Sequence, residues 1–230
     1  MAMSGYNCFP DTLLKIPTGK NMATALSPAA SDGSLLRLDQ VSWQTYCLLR
    51  DARENRHVRM TFDQGRLYLM SPSRLHQRIA ELIGRLIATY TECESIPILS
   101  GGSTTMKSKL HNRGLEPDKC YYIQSEAAVR QSDRYDAQAD PPPDLAIEVD
   151  VTSLSTIRMP IYADLAVPEV WRWIDDQIEI YHLVSGGYRA AEQSTCLPSF
   201  PFEKAIACLN DRFDHDETSL IAAFRKSLKA

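Results

Sequence analysis

At 230 residues, with 25 Lys and Arg against 29 Asp and Glu, the chain carries a formal net charge of −4, and 44% of it is hydrophobic. That size fits one α/β or α+β domain with an irregular extension, or two small domains. The charge argues against a uniformly basic nucleic-acid binder and leaves room for a local basic face. No apolar run approaches the ~18 residues needed to cross a bilayer, and the N-terminus lacks the basic, apolar and small-residue succession of a secretory signal. The six cysteines (Cys8, Cys47, Cys93, Cys120, Cys196 and Cys208) are scattered, with no Cys-x-x-Cys pair. A zinc ribbon and a disulfide scaffold therefore have no support, and a cytoplasmic protein with reduced thiols is expected.

Residues 1–36, rich in Pro, Ser, Ala and Gly, read as an irregular N-terminal extension, and residues 37–230 as the folded domain. Val41, Tyr46, Leu48 and Leu49 suit a short helix. HVRMTF and RLYLM around DQG predict a hairpin, and Ser71 or Ser73 can then cap a helix. That helix is the clearest element: Ile79, Leu82, Ile83, Leu86, Ile87 and Tyr90 recur at helical spacing, while Arg74, Arg78, Glu81 and Arg85 fall on another face. Three strands follow, over STTMKSKL, PDKCYYI and DLAIEVDV. SLSTIRMPIYADLAV reads as a helix or helical turns interrupted by Pro160. EVWRWI and IEIYHLV predict a second hairpin around DDQ, and SGGYRAAEQS a further strand. The C-terminal DHDETSLIAAFRKSL, acidic first and basic last, matches a helix macrodipole.

The candidate chemistry lies in DLAIEVDV. Alternation puts Leu145, Ile147, Val149 and Val151 on one face of a strand, and Asp144, Ala146, Glu148 and Asp150 on the other. Glu148 and Asp150 would emerge roughly 6.5–7 Å apart along the strand. Burying like charges that close is costly unless a proton or a cation offsets them. A divalent metal is an economical solution, and oxygen ligands without a Cys/His cluster favour Mg²⁺ or Mn²⁺ over Zn²⁺. An edge strand with one solvated polar face is the competing reading. Asp118, opening an independent strand after Pro117, weighs against it, because neighbouring strands can bring Asp118 beside Glu148.

These motifs resemble the PD-(D/E)xK nuclease superfamily, and within it the Uma-two family of restriction endonucleases. MSPSRLHQRI, GSTTMKSKLHNRGLEPDKCYYI, DPPPDLAIEVDVTSLSTIRMPIYADLAVPEVWRW and LPSFPF carry the resemblance, in order, over roughly residues 40–228. It implies an α+β, restriction-endonuclease-like fold, with a four- or five-stranded mixed sheet flanked by helices. It also implies Mg²⁺-dependent hydrolysis of DNA, with Asp118 and Glu148 as metal ligands and the Val149 carbonyl as a further one. Where the superfamily usually places a lysine, two residues after the second carboxylate, this chain has Asp150. Many Uma-two members carry the lysine on the next helix, four residues before a tyrosine; with Tyr162 as that tyrosine, the position here is Arg158. Arg158 keeps the positive charge but cannot act as a base at neutral pH. Lys107 and Lys109, on one face of the preceding strand, are the other candidates for that charge.

Further residues carry two readings each. Glu81 matches an extra acidic position of the superfamily, or pairs with Arg78 and Arg85 at the surface. His76 is a ligand or proton shuttle, or a hydrogen-bonded histidine at the core edge. Asp144 is a third metal-site carboxylate or a strand-opening residue. Arg74, Arg78, Arg85, Lys107, Lys109 and Arg113 form a phosphate-contacting rim or a scatter of surface charge. A double-strand cut from one site per chain would call for a homodimer. A catalytically impaired nuclease fold that binds nucleic acid or a protein partner is the alternative function.

Overall fold

The computed structural model describes residues 33–132, 135–136, 139–150 and 155–229. Most of the expected N-terminal extension, with Cys8, and also Val151 lie outside the described residues. Strand β1 (Gly33–Leu38) takes in residues 33–36, the last of that segment.

The first hairpin forms as its turn chemistry directs. β2 (Arg59–Asp63) and β3 (Arg66–Pro72) pair antiparallel across Gln64 and Gly65, both at positive φ, the conformation that matches strand twist in a two-residue turn. β1 adds to the outer edge of β3. β6 (Arg113–Leu115) and β5 (Met106–Ser108) complete an antiparallel sheet in the order β1-β3-β2-β6-β5. Helix α1 (Trp43–Asp51) covers this sheet, with the Tyr46 ring stacked on Phe62 at 4.7 Å.

The second sheet holds six strands, β11-β10-β9-β8-β7-β4, where four or five were expected. β8 (Leu145–Val149) lies between β7 (Lys119–Tyr122), antiparallel to it, and β9 (Glu169–Ile174), parallel to it. The sheet is therefore mixed, as the resemblance implied. β10 (Gln177–Val184) and β11 (Gly187–Ala191) extend it on one side, and β4 (Leu99–Gly102) closes the other. The β9–β10 turn carries Asp175 and Asp176, again both at positive φ. Every residue of β8 is buried, which overturns the edge-strand reading of DLAIEVDV.

The two faces of β8 meet different partners. Leu145, Ile147 and Val149, with Trp171 and Trp173 of β9, pack against the apolar stripe of α2 (Arg74–Glu94). α5 (Phe202–Asn210) and α6 (Glu217–Ser227) finish that core. On the other face, Ala146 and Val170 meet Ile161 and Tyr162 of α4 (Ser155–Asp164), together with Met106 and Leu115 of the five-stranded sheet. α4 is thus lodged where the two sheets meet. It continues through Pro160, which removes one main-chain donor while Ile161 and Tyr162 are fully buried on either sheet. A short helix, α3 (Glu126–Val129), follows β7. Among the described residues, no helix is long and apolar enough to cross a membrane, and Cys47, Cys93, Cys120, Cys196 and Cys208 are free thiols.

Candidate active site

Asp118 ends up beside Glu148 through strand pairing. Lys119 is opposite Ile147, and the Asp118 N–H reaches the Ile147 carbonyl at 3.2 Å, so Asp118 prolongs β7 along the last residues of β8. Its Oδ2 accepts the Val149 N–H at 2.8 Å. α2 contributes the next group. Ser73 caps this helix by accepting the His76 N–H at 3.1 Å, which fixes His76 in the first turn. The ring Nε2 of His76 then lies 3.1 Å from Asp118 Oδ2.

Glu148 meets α4. Arg158 and Tyr162, one helical turn apart, reach down onto the same carboxylate. Arg158 Nη1 lies 2.6 Å from Oε2, and the Tyr162 hydroxyl donates to Oε1. The second Arg158 amino group donates to the main-chain carbonyl of Glu116. The Glu116 side chain is itself held by Arg50 Nη1 at 2.8 Å, the Met60 N–H at 3.1 Å and the Thr105 hydroxyl at 2.9 Å. The cluster is closed over: Asp118 is 6% exposed, Glu148 2% and Arg158 3%.

Burial acts on the two carboxylates with different outcomes. It pushes Glu148 up to about 8; the Arg158 charge pulls the other way, while the charge of Asp118 adds to the rise. For Asp118 burial also disfavours the charge, but the His76 hydrogen bond, with the charges of His76 and Arg158 and the Val149 N–H, holds it below the usual carboxylate range. Burial, followed by the neighbouring Glu148, lifts the Tyr162 phenol well above its ordinary value, so the hydroxyl stays a donor.

His76, Asp118, Glu148, Arg158 and the Val149 main chain are therefore brought together, and other residues singled out in the sequence are not. Asp144 lies at the opposite end of β8, where its Oδ2 takes the Ile123 and Ser125 N–H groups at 2.6 and 3.0 Å and the Ser125 hydroxyl at 2.8 Å. It pins the turn after β7. Asp150 pairs with Arg172 of β9 at 2.9 Å. Glu81 forms its ion pair with Lys119 at 2.7 Å, whereas Arg78 and Arg85 share Glu217 at 3.2 Å each. Lys107 reaches Asp51 of α1 at 2.9 Å. Lys109 is exposed in the turn after β5, beyond the strand that would have set its face, and with Lys107 it acts on Cys47. Among the described residues, the ion pairs of Asp118 and Glu148 are with His76 and Arg158, and include neither lysine. Arg113 bridges Asp63 and Asp164 at 2.8 and 2.7 Å, so most of the expected rim is internally neutralised.

The Glu116–Arg50 pair is the part of this network that sequence reading missed. Its signal is a charged residue directly before Pro117, and an arginine, Arg50, following the apolar Cys47, Leu48 and Leu49 near the end of α1.

A mixed sheet with two acidic residues meeting at the ends of neighbouring strands, backed by helices on both faces, defines a restriction-endonuclease-like α+β protein. The chain belongs to the Uma2 family, whose model, described as "Putative restriction endonuclease", matches residues 43–206. Among solved structures it is similar to a protein from Anabaena variabilis described as a "putative nuclease belonging to DUF820", at 11% sequence identity and a TM-score of 0.48. That likeness covers 80% of this chain and 99% of the other. The comparison with curated proteins gives no match.

Proposed function

We infer that this chain is a divalent-metal-dependent nuclease acting on DNA phosphodiester bonds, with its nuclease-like domain in residues 37–230. The observation that carries the reading is the meeting of Asp118 and Glu148 in one buried cluster from positions 30 residues apart. The donor set fits a hard cation. Asp118 Oδ1 is buried and has no hydrogen-bond partner among the described residues, and Glu148 needs added positive charge to ionise at neutral pH. Among the described residues no group of three or more His, Cys, Asp or Glu side chains is placed to hold a metal ion. Two carboxylates, a main-chain carbonyl and water suit Mg²⁺ or Mn²⁺, which keep several waters.

Asp118 and Glu148 would hold the ion, with the Val149 carbonyl as a further oxygen. When bound, such an ion polarises a phosphate oxygen and lowers the pKa of water. His76 and the Val149 N–H fix the Asp118 carboxylate. Arg158, the only positive side chain set against Glu148 among the described residues, supplies fixed charge where a phosphate would gain negative charge. One site per chain and a double-stranded substrate favour a two-fold pair of chains, which light scattering would check.

Calorimetric titration of Mn²⁺ into the wild type, Asp118→Asn and Glu148→Gln tests the assignment. Binding is expected in the wild type alone, together with Mn²⁺-dependent nicking of plasmid DNA. Equal binding by all three proteins would remove the site.

A second reading, a nuclease fold that binds nucleic acid or a protein partner without cutting, is favoured by one observation: both oxygens of Glu148 are already engaged, by Arg158 and Tyr162. DNA retention without any nicking that depends on Glu148 would establish it.

A further inference from the structure

The two carboxylates differ in how far they are committed. Asp118 keeps one buried oxygen without a hydrogen-bond partner among the described residues. On Glu148, Oε2 carries the Arg158 guanidinium at 2.6 Å and Oε1 the Tyr162 hydroxyl. A cation could take the Asp118 oxygen without breaking a contact, but at Glu148 it meets a resident positive charge. A lysine can leave such a place by losing a proton; a guanidinium cannot.

Arg158 has a second hold that a metal would not touch. One of its amino groups donates to the Glu116 carbonyl, and the Glu116 side chain is fixed by Arg50, Met60 N–H and Thr105. Its Nε is buried and has no hydrogen-bond partner among the described residues, so the guanidinium retains an unused donor within the cluster.

We propose that Arg158 is a built-in positive group held on Glu148 that a divalent cation must displace, and that the displaced guanidinium stays tethered at the Glu116 carbonyl, ready to meet a phosphate oxygen. The proposal rests on the metal reading given above. Metal binding and the release of a phosphate-binding group would then be one event: Arg158 would give up Glu148, keep its carbonyl anchor and free donors for the substrate. Without a phosphate to receive the guanidinium, the resident charge opposes the metal and holds its affinity down.

Mn²⁺ binding to the full chain, followed by the electron paramagnetic resonance of the free ion, reads this directly and needs no catalytic activity. Loss of the guanidinium charge in Arg158→Met is expected to tighten Mn²⁺ binding by about tenfold or more, since a positive charge a few ångströms from the ion is removed. Arg158→Lys, which keeps the charge but not the two-anchor fork, is expected to tighten it a few-fold, and this variant decides the matter if Arg158→Met does not fold. Unchanged or weaker Mn²⁺ binding in the variants that fold would overturn the proposal. In that event, loss of binding in Glu148→Gln and Asp118→Asn would leave the metal site standing. Binding that ignores all four substitutions, or no binding by any of the proteins, would sink the metal site and the proposal together.

Discussion

Glu148 and Asp118 share one buried cluster, yet pH acts on them in opposite senses. Glu148 has a folded-state pKa near 8 against 4.5 for the free side chain, because burial penalises its charge. Between those values the folded protein holds a proton that the unfolded chain has released. Stability therefore falls as pH rises, being greatest below about 4.5 and fully lost from this group above about 8. Asp118, held low, contributes the reverse slope, and only in acid. The metal-free wild type is thus expected to show a denaturation midpoint that declines from pH 5 to 8.5, and Glu148→Gln a flatter profile that crosses above it at the alkaline end. Urea unfolding across that range checks this; parallel profiles would mean that Arg158 fully compensates the Glu148 charge. At this scale the sequence was informative about identity and less so about company. Pro117-Asp118 and the alternation of DLAIEVDV pointed to the carboxylates, and the family resemblance to Arg158 on the following helix, while the bond from Tyr162 to Glu148 was not anticipated. Alternation says which face a residue takes and nothing about how far along the strand its partner sits. Asp144 and Glu148 share a face on that count and serve opposite ends of β8.

Elements with local signals were readable from the chain alone. Two hairpins followed from their turn residues, and α2 from its stripe. α5 was overlooked although Phe202, Ala205 and Leu209 recur at helical spacing with Glu203 in the first turn, because the surrounding prolines mask its start. β4 and β6 are four and three residues long and contain glycine, so they carry almost no periodic signal. One of those glycines is required by what lies across from it. A Cβ on Gly114 would sit 2.5 Å from the Tyr46 hydroxyl and 3.1 Å from the Met106 carbonyl. Gly114→Ala is therefore expected to cost roughly 1–3 kcal/mol by overpacking, and Gly114→Ala with Tyr46→Phe to recover part of it. The α2 cap gives a milder case. Ser73→Ala removes the acceptor of the His76 N–H and is expected to cost about 1 kcal/mol. It should also loosen His76 against Asp118, seen as a shift of the His76 ring resonances in NMR. An unchanged midpoint would show that packing of α2, rather than its cap, sets that turn.

Two sheets meeting over α4 could not be foreseen, since periodicity distinguishes a buried face from an exposed one without saying which sheet a strand joins. What holds the junction is partly apolar, through Met106, Leu115, Ala146 and Val170 around α4, and partly ionic. Arg50 of α1 and Glu116 are 7% and 6% exposed and lie 2.8 Å apart; Glu116 also receives the Met60 N–H of β2, and its carbonyl anchors Arg158 of α4. Glu116 thus ties the helix over the five-stranded sheet, through its carboxylate, to the cluster at the end of the six-stranded one, through its main-chain carbonyl. Removing a single partner of such a pair leaves a buried charge uncompensated, and Arg50→Met is expected to cost roughly 3–5 kcal/mol. Arg50→Met with Glu116→Gln removes that charge while keeping an oxygen for the Met60 N–H, so it should be more stable than Arg50→Met alone. Equilibrium denaturation of the single and double variants measures this. If the double variant were no better than the single one, the loss would lie in the other contacts of Arg50, to the carbonyls of Asn55 and Val58 at 3.0 and 2.6 Å, and not in the uncompensated Glu116 charge.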